Sequence, residues 1–217
     1  VEQLPPINSL GASYMTLPLA SRFLGDTFSV HAVEDDTYIF LNGQIETYLN
    51  KGESYIQILD GANLIESNNP IQVMQFSNGT DYDDYVDGVS DKFGDPFMLA
   101  VPAEEQYVGQ YVFTTPAQGY SRNFVNVISR SRSRHTVTID GESIEESAWH
   151  AITGTEFVGA QVQINLGSHT ASSIEPFGLY VYGFEQYISY GYLGGMAFAS
   201  DVLAASVELS ASSSQPM

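Results

Sequence analysis

The chain has no cysteine, so disulfides and thiolate chemistry play no part in it. Positive charge is scarce: seven Lys and Arg stand against 26 Asp and Glu, for a net charge of −19 over 217 residues. Phosphate backbones are gripped by clustered cations, so this balance argues against nucleic acid and against an anionic membrane surface. No apolar run approaches the roughly 20 residues of a membrane-spanning helix, so no membrane insertion is expected. The opening on VEQLPP is abrupt and lacks a signal-peptide pattern, so the chain is expected to be part of something longer. The GxSxG elbow, the P-loop, the dinucleotide glycine pattern and HExxH are all absent. His31, His135, His150 and His169 are dispersed, which gives zinc no support. An enzyme is therefore not expected. Only a carboxylate pair for glycoside hydrolysis stays open, because such pairs meet only in the fold.

What is present is a packed globular composition, 43% hydrophobic and 12% aromatic. A charge of −19 suits a high-salt or calcium-rich setting, where counterions relieve self-repulsion. Helix signals are few and strand signals many. TFSVHAV (27–33), TYIFLNG (37–43), SYIQIL (54–59), IQVMQFS (71–77), QYVFTTP (110–116), FVNVIS (124–129), HTVTIDG (135–141), AQVQINLG (160–167) and FGLYVYGF (177–184) are short, mostly alternating and bounded by turn residues. That pattern predicts an all-β sandwich or barrel.

The chain also repeats itself. LPPINSLGASYMTLP (4–18) aligns with VPAEEQYVGQYVFTTP (101–116), TFSVHAVEDDTYIFLNGQ (27–44) with NFVNVISRSRSRHTVTIDGE (123–142), and NPIQVMQFSNG (69–79) with EPFGLYVYGFE (175–185). Two pseudo-repeated antiparallel β-sandwich units, jelly-roll or Ig-like, follow from this. The expected limits are 1–79 for the first unit, 80–96 for an acidic connection, 97–195 for the second unit, and 196–217 for a last strand, short helix or linker.

The acidic connection carries Asp81, Asp83, Asp84, Asp87 and Asp91. Calcium takes six to eight hard oxygens, often from one short loop, so these five are candidate calcium ligands. The competing reading is a solvated acidic loop. RSRSR (130–134) places Arg130, Arg132 and Arg134 on one face if extended, a candidate grip for an anionic ligand. The competing reading is an exposed tip paired with acidic surface. Tyr187, Tyr190 and Tyr192 sit in a loop-like, glycine-rich run, and with Tyr82 and Tyr85 they are candidate contact residues. The tyrosines of 177–184 alternate and read as core.

Taken together, VEQLPPINSLGASYMTLPLA, GDTFSVHAVEDDTYIFLNG, GDPFMLAVPAEEQY, NFVNVI and FGLYVYGFEQYISYGYLGG resemble the IgGFc-binding protein N-terminal domain family over residues 1–195, and only the C-terminal part of that domain. The resemblance implies an extracellular, non-enzymatic β-rich module of adhesion or mucus-type proteins. It supplies no catalytic residues. The acidity and the lack of cysteine also resemble modules of calcium-dependent bacterial surface adhesins. The expected function is an extracellular, calcium-dependent adhesion module, monomeric in isolation, that recognises peptide or glycan on another cell or matrix. The alternative is a structural spacer in which calcium serves only rigidity.

Overall fold

The computed structural model describes residues 3–82 and 93–198. Eight strands form the first unit: β1 (Ser13–Thr16), β2 (Asp26–Ala32), β3 (Thr37–Leu41), β4 (Gln44–Leu49), β5 (Ser54–Leu59), β6 (Asn63–Ser67), β7 (Ile71–Ser77) and β8 (Phe97–Ala100). They pair as two antiparallel sheets, β1-β6-β3-β4 and β5-β2-β7-β8. The second unit holds β9 (Val108–Thr114), β10 (Arg122–Arg130), β11 (Thr138–Ile139), β12 (Glu142–Ser143), β13 (Trp149–Ala151), β14 (Phe157–Ile164), β15 (Ser168–Glu185) and β16 (Ile188–Leu193). The fold is all-β, and no α-helix occurs among the described residues.

β15 does the work of two strands. Its first half pairs with β9 and β11, and its second half with β10 and β16. Its register breaks between Ser172 and Phe177, where Pro176 cannot donate to a ladder. With its halves in place of β6 and β7, the second unit has the same strand order as the first, with β13 added beyond β14. Registers agree as well. Val30 pairs with Val73, and Val127 pairs with Leu179, the positions 97 and 106 residues later.

Small features repeat at equivalent sites. The Tyr14 hydroxyl donates to the Ile71 carbonyl and accepts from Gly11 N–H, while Tyr111 does the same with Phe177 and Val108. The β3–β4 and β11–β12 hairpins turn on Asn42-Gly43 and Asp140-Gly141, whose φ angles are all positive at 51, 78, 54 and 84°. These are the conformations a two-residue type I′ turn requires.

The two units share a core. Odd residues of β15, Phe177, Leu179 and Val181, pack inside the second unit with Val125 and Val127. Even residues Tyr180, Tyr182 and Phe184 point the other way and join the first unit's cluster with Leu17, Leu19 and Phe28. This sheet is covered on both faces, so residues 177–184 of β15 are buried without a break. Between the units passes the segment after β1. Its main chain is satisfied by side chains: Leu17 N–H and carbonyl by the Tyr180 hydroxyl, each at 3.2 Å, the Leu17 carbonyl also by Gln75 at 2.9 Å, the Pro18 carbonyl by Asn126 at 2.9 Å, and Ala20 N–H by Tyr182 at 2.8 Å. Leu19 N–H donates to the buried Asp26 carboxylate at 2.7 Å.

Two sequence expectations change. Residues 97–100 do not open the second unit. β8 hydrogen-bonds to β7 and completes the first unit's sheet, so the boundary falls after Ala100. HTVTIDG is not one strand. Arg134–Thr136 takes a 3-10 turn, held by Thr136 N–H and its hydroxyl on the Ser133 carbonyl, and only Thr138–Ile139 pairs. Residues 196–198 have no regular structure, and 199–217 lie outside the described residues.

Candidate binding surface

Of the acidic stretch, Asp81 and Tyr82 are described; Asp83, Asp84, Tyr85, Asp87 and Asp91 lie outside the described residues. Asp81 is exposed, and the Tyr82 hydroxyl donates to the Leu24 carbonyl at 3.3 Å. The loop's base is pinned. Arg22 donates to the Asn78 and Gly79 carbonyls at 2.8 and 2.9 Å, and Thr80 donates to the Gly94 carbonyl. Among the described residues, no three of His, Asp and Glu converge as a metal site. Asp81 alone cannot meet calcium's need for several hard oxygens.

The three arginines are not presented as an extended stripe. β10 ends at Arg130, and the chain then turns. Each guanidinium is engaged by glutamates from distant parts of the chain. Arg130 lies between Glu104 and Glu156, over the Phe157 ring. Arg132 reaches Glu175 at 3.0 Å, and Arg134 holds Glu146. The hydrogen bonds from Arg132 and Arg134 hold the Glu175 and Glu146 carboxyls below their ordinary range. Glu104 moves the other way: burial raises it, against the pull of Arg130. An anionic ligand would have to displace these carboxylates.

Tyr190 and Tyr192 are brought together. Both sit on β16, an edge strand paired to β15, and their rings stack at 6.2 Å. Tyr190 lies opposite Gly183, where a Cβ would stand 2.4 Å from its ring. Its hydroxyl donates to Asn123 at 2.7 Å, and Tyr120 meets its ring edge-on at 4.8 Å. The Tyr192 hydroxyl donates to the Thr114 carbonyl and accepts from Thr114 N–H at 3.2 Å, tying β16 to the end of β9. Burial raises both phenols. The two rings and residues 112–116 form an open cleft of about 480 Å³. Val112 stands 79% exposed at its rim. Aromatic faces beside threonine and main-chain polar groups suit a sugar ring or an apolar peptide side chain. Tyr187 is elsewhere. It occupies the β15–β16 turn at φ 58°, exposed, and does not line the cleft.

One polar centre is missed by sequence reasoning. His169, buried on β15, lies 2.6 Å from Asp140 through Nδ1 and 2.8 Å from the Asn165 carbonyl through Nε2, and stacks on Phe113 at 5.4 Å. Asp140 also accepts from Thr170 N–H at 2.8 Å, and the His169 hydrogen bond holds its carboxyl low. The internal repeat held the signal. Asn42 and Asn63 touch in the first unit at 2.9 Å, and Asp140 and His169 are their counterparts.

Among solved structures, an apo lectin from Pleurotus ostreatus aligns at 8% identity and TM-score 0.25, covering 92% of this chain and 84% of that one. An anti-sigma factor domain-containing protein aligns at 10% identity and TM-score 0.22, covering 86% and 83%. Likenesses this weak bear on neither fold detail nor ligand. No curated protein matches the chain. A family model does: IgGFc binding protein, over residues 1–183. The chain belongs to the IgGFc binding protein family.

Proposed function

We propose that this chain is an extracellular binding module of a large adhesin-like surface protein, taking peptide or glycan from another cell or matrix. The observation that carries the reading is the pair Tyr190 and Tyr192 at an open cleft, while Tyr180, Tyr182 and Phe184 on the neighbouring strand are fully buried. Family membership supports recognition outside the cell; the family's name points to IgG Fc as a target within that family, not of this chain. Calcium is proposed at the loop from Asp81 to Asp91, supported by the spacing of its carboxylates. The spacer reading has one observation in its favour. A core shared by both units makes a stiff body, as a stalk requires. A glycan and peptide array, run in calcium and in chelator with wild type and Tyr192→Ala, separates the two. The binding reading expects hits that the variant loses; an array blank under every condition refutes it.

A further inference from the structure

Because the units share one strand order, the places where they differ are informative. One is the gap between the sheets on the side opposite β9 and β16. In the first unit it lies between β4 and β5, where the Tyr55 hydroxyl donates to Glu46 and closes it, leaving about 10 Å³. In the second unit β12 is cut to Glu142–Ser143, and the chain turns away through a 3-10 turn, Glu146–Ala148, into β13. A groove of about 390 Å³ remains between β12 and β14.

The groove runs along an open strand edge. β14 bonds to β10 along its whole length, but β13 covers its other side only at Val158–Ala160. Ile152 N–H donates to the Phe157 carbonyl on that side. By the two-residue alternation of a ladder, the main-chain groups of Gln161 and Gln163 also face outward there. β13 pairs with β14 no further than Ala160, so the main-chain groups of Gln163 and the Gln161 carbonyl lie beyond the paired stretch on that side. The end of the groove is propped by His169, whose two ring nitrogens link Asp140 in the β11–β12 turn to Asn165 after β14. The first unit uses the shorter Asn63 here, bonded to the Asp60 and Gly61 carbonyls at 3.0 and 3.1 Å. Half-buried Val162, Ile164 and Ile144 give an apolar floor. Glu142 and Glu145 are exposed beside it, and neither makes an ion pair among the described residues. No Lys or Arg lines the groove.

The geometry points to a strand-addition site for an extended peptide with alternating basic and apolar side chains. Its main chain bonds Gln161 and Gln163, its apolar side chains cover Val162 and Ile164, and its cations meet Glu142 and Glu145. A glycan offers no matching repeat of N–H and C=O groups. The site lies on the opposite edge from the tyrosine cleft and does not depend on it.

The test titrates the ¹⁵N-labelled chain with a blocked octapeptide of alternating lysine and valine. Amide shifts are expected at 161–164 and 142–145. Methylating alternate peptide nitrogens, or the double substitution Glu142→Lys and Glu145→Lys, is expected to weaken binding about tenfold or more, while Tyr192→Ala leaves it unchanged. An alternating glutamate and valine octapeptide is expected not to bind. The proposal is overturned by no shifts at millimolar peptide, by equal binding of the methylated peptide, or by loss of binding in Tyr192→Ala.

Discussion

Tyr182→Phe removes one oxygen from the seam between the units. That hydroxyl is fully buried, donates to Asn126 at 2.7 Å and accepts from Ala20 N–H at 2.8 Å. The phenylalanine ring keeps the contacts with Phe124 and Phe184, so the loss is polar. It strands one acceptor and one donor, each worth roughly 1–3 kcal/mol when orphaned, about 2–6 kcal/mol together. Against a domain stability of about 5–15 kcal/mol this is a large fraction. With a urea dependence of about 2–3 kcal/mol/M, the unfolding midpoint should fall by about 1–3 M. Equilibrium urea unfolding, followed by circular dichroism and by fluorescence, measures it. A single transition is expected, because one hydrophobic cluster spans both units. Tyr48→Phe, whose exposed hydroxyl reaches Asp36 and Asn50, serves as the control, with a loss within about 0.5 kcal/mol. If Tyr182→Phe moved the midpoint no more than the control, the seam would not be held as described.

Further outcomes follow from the repeat and the charges. Tyr14→Phe and Tyr111→Phe remove equivalent bonds to Ile71 and Phe177, and each should cost about 1–3 kcal/mol in the same assay; a cost for only one would break the equivalence. Asp140 has a folded-state pKa below its ordinary value, so its stabilisation is present above about pH 4 and lost as pH falls through the folded value. The midpoint difference between wild type and Asp140→Asn should therefore shrink below pH 4, and a constant difference refutes this. Burial lowers His31, which favours its neutral form in the fold. His31→Gln should gain on wild type as pH falls from about 6.5 to 5. Chelation should lower the melting temperature by several degrees if calcium is held at a hundredfold excess over its dissociation constant, a linkage of about 2.7 kcal/mol. Asp83→Ala with Asp87→Ala should abolish that response, and an unchanged melting curve in chelator and in millimolar calcium would remove calcium from the account.

Strands whose own residues carry the pattern were legible. SYIQIL and IQVMQFS match β5 and β7 at both ends, because alternation and the flanking Pro70 are local signals. The repeat was legible through Pro, Asn-Gly and Asp-Gly landmarks, and it foretold the common topology. Pairings across long stretches of chain were not legible. β8 follows the acidic stretch and resembles a beginning, yet its partner β7 lies before that stretch. Arg130, Arg132 and Arg134 look free in the sequence because Glu104, Glu156, Glu175 and Glu146 reach them only through the fold. Tyr187, Tyr190 and Tyr192 look alike in the sequence. The β16 register puts two of them in one cleft and the third in a turn. The β12–β14 groove left no local mark, since it arises from a shortened strand and an unpaired edge rather than from a motif.

The measurement closest to the central claim is an amide-shift map of the ¹⁵N-labelled chain with a glycan or peptide selected from the array. The account predicts the largest shifts at residues 112–116 and 190–192, lost in Tyr192→Ala. Shifts confined to the first unit, with residues 112–116 and 190–192 undisturbed, would contradict it.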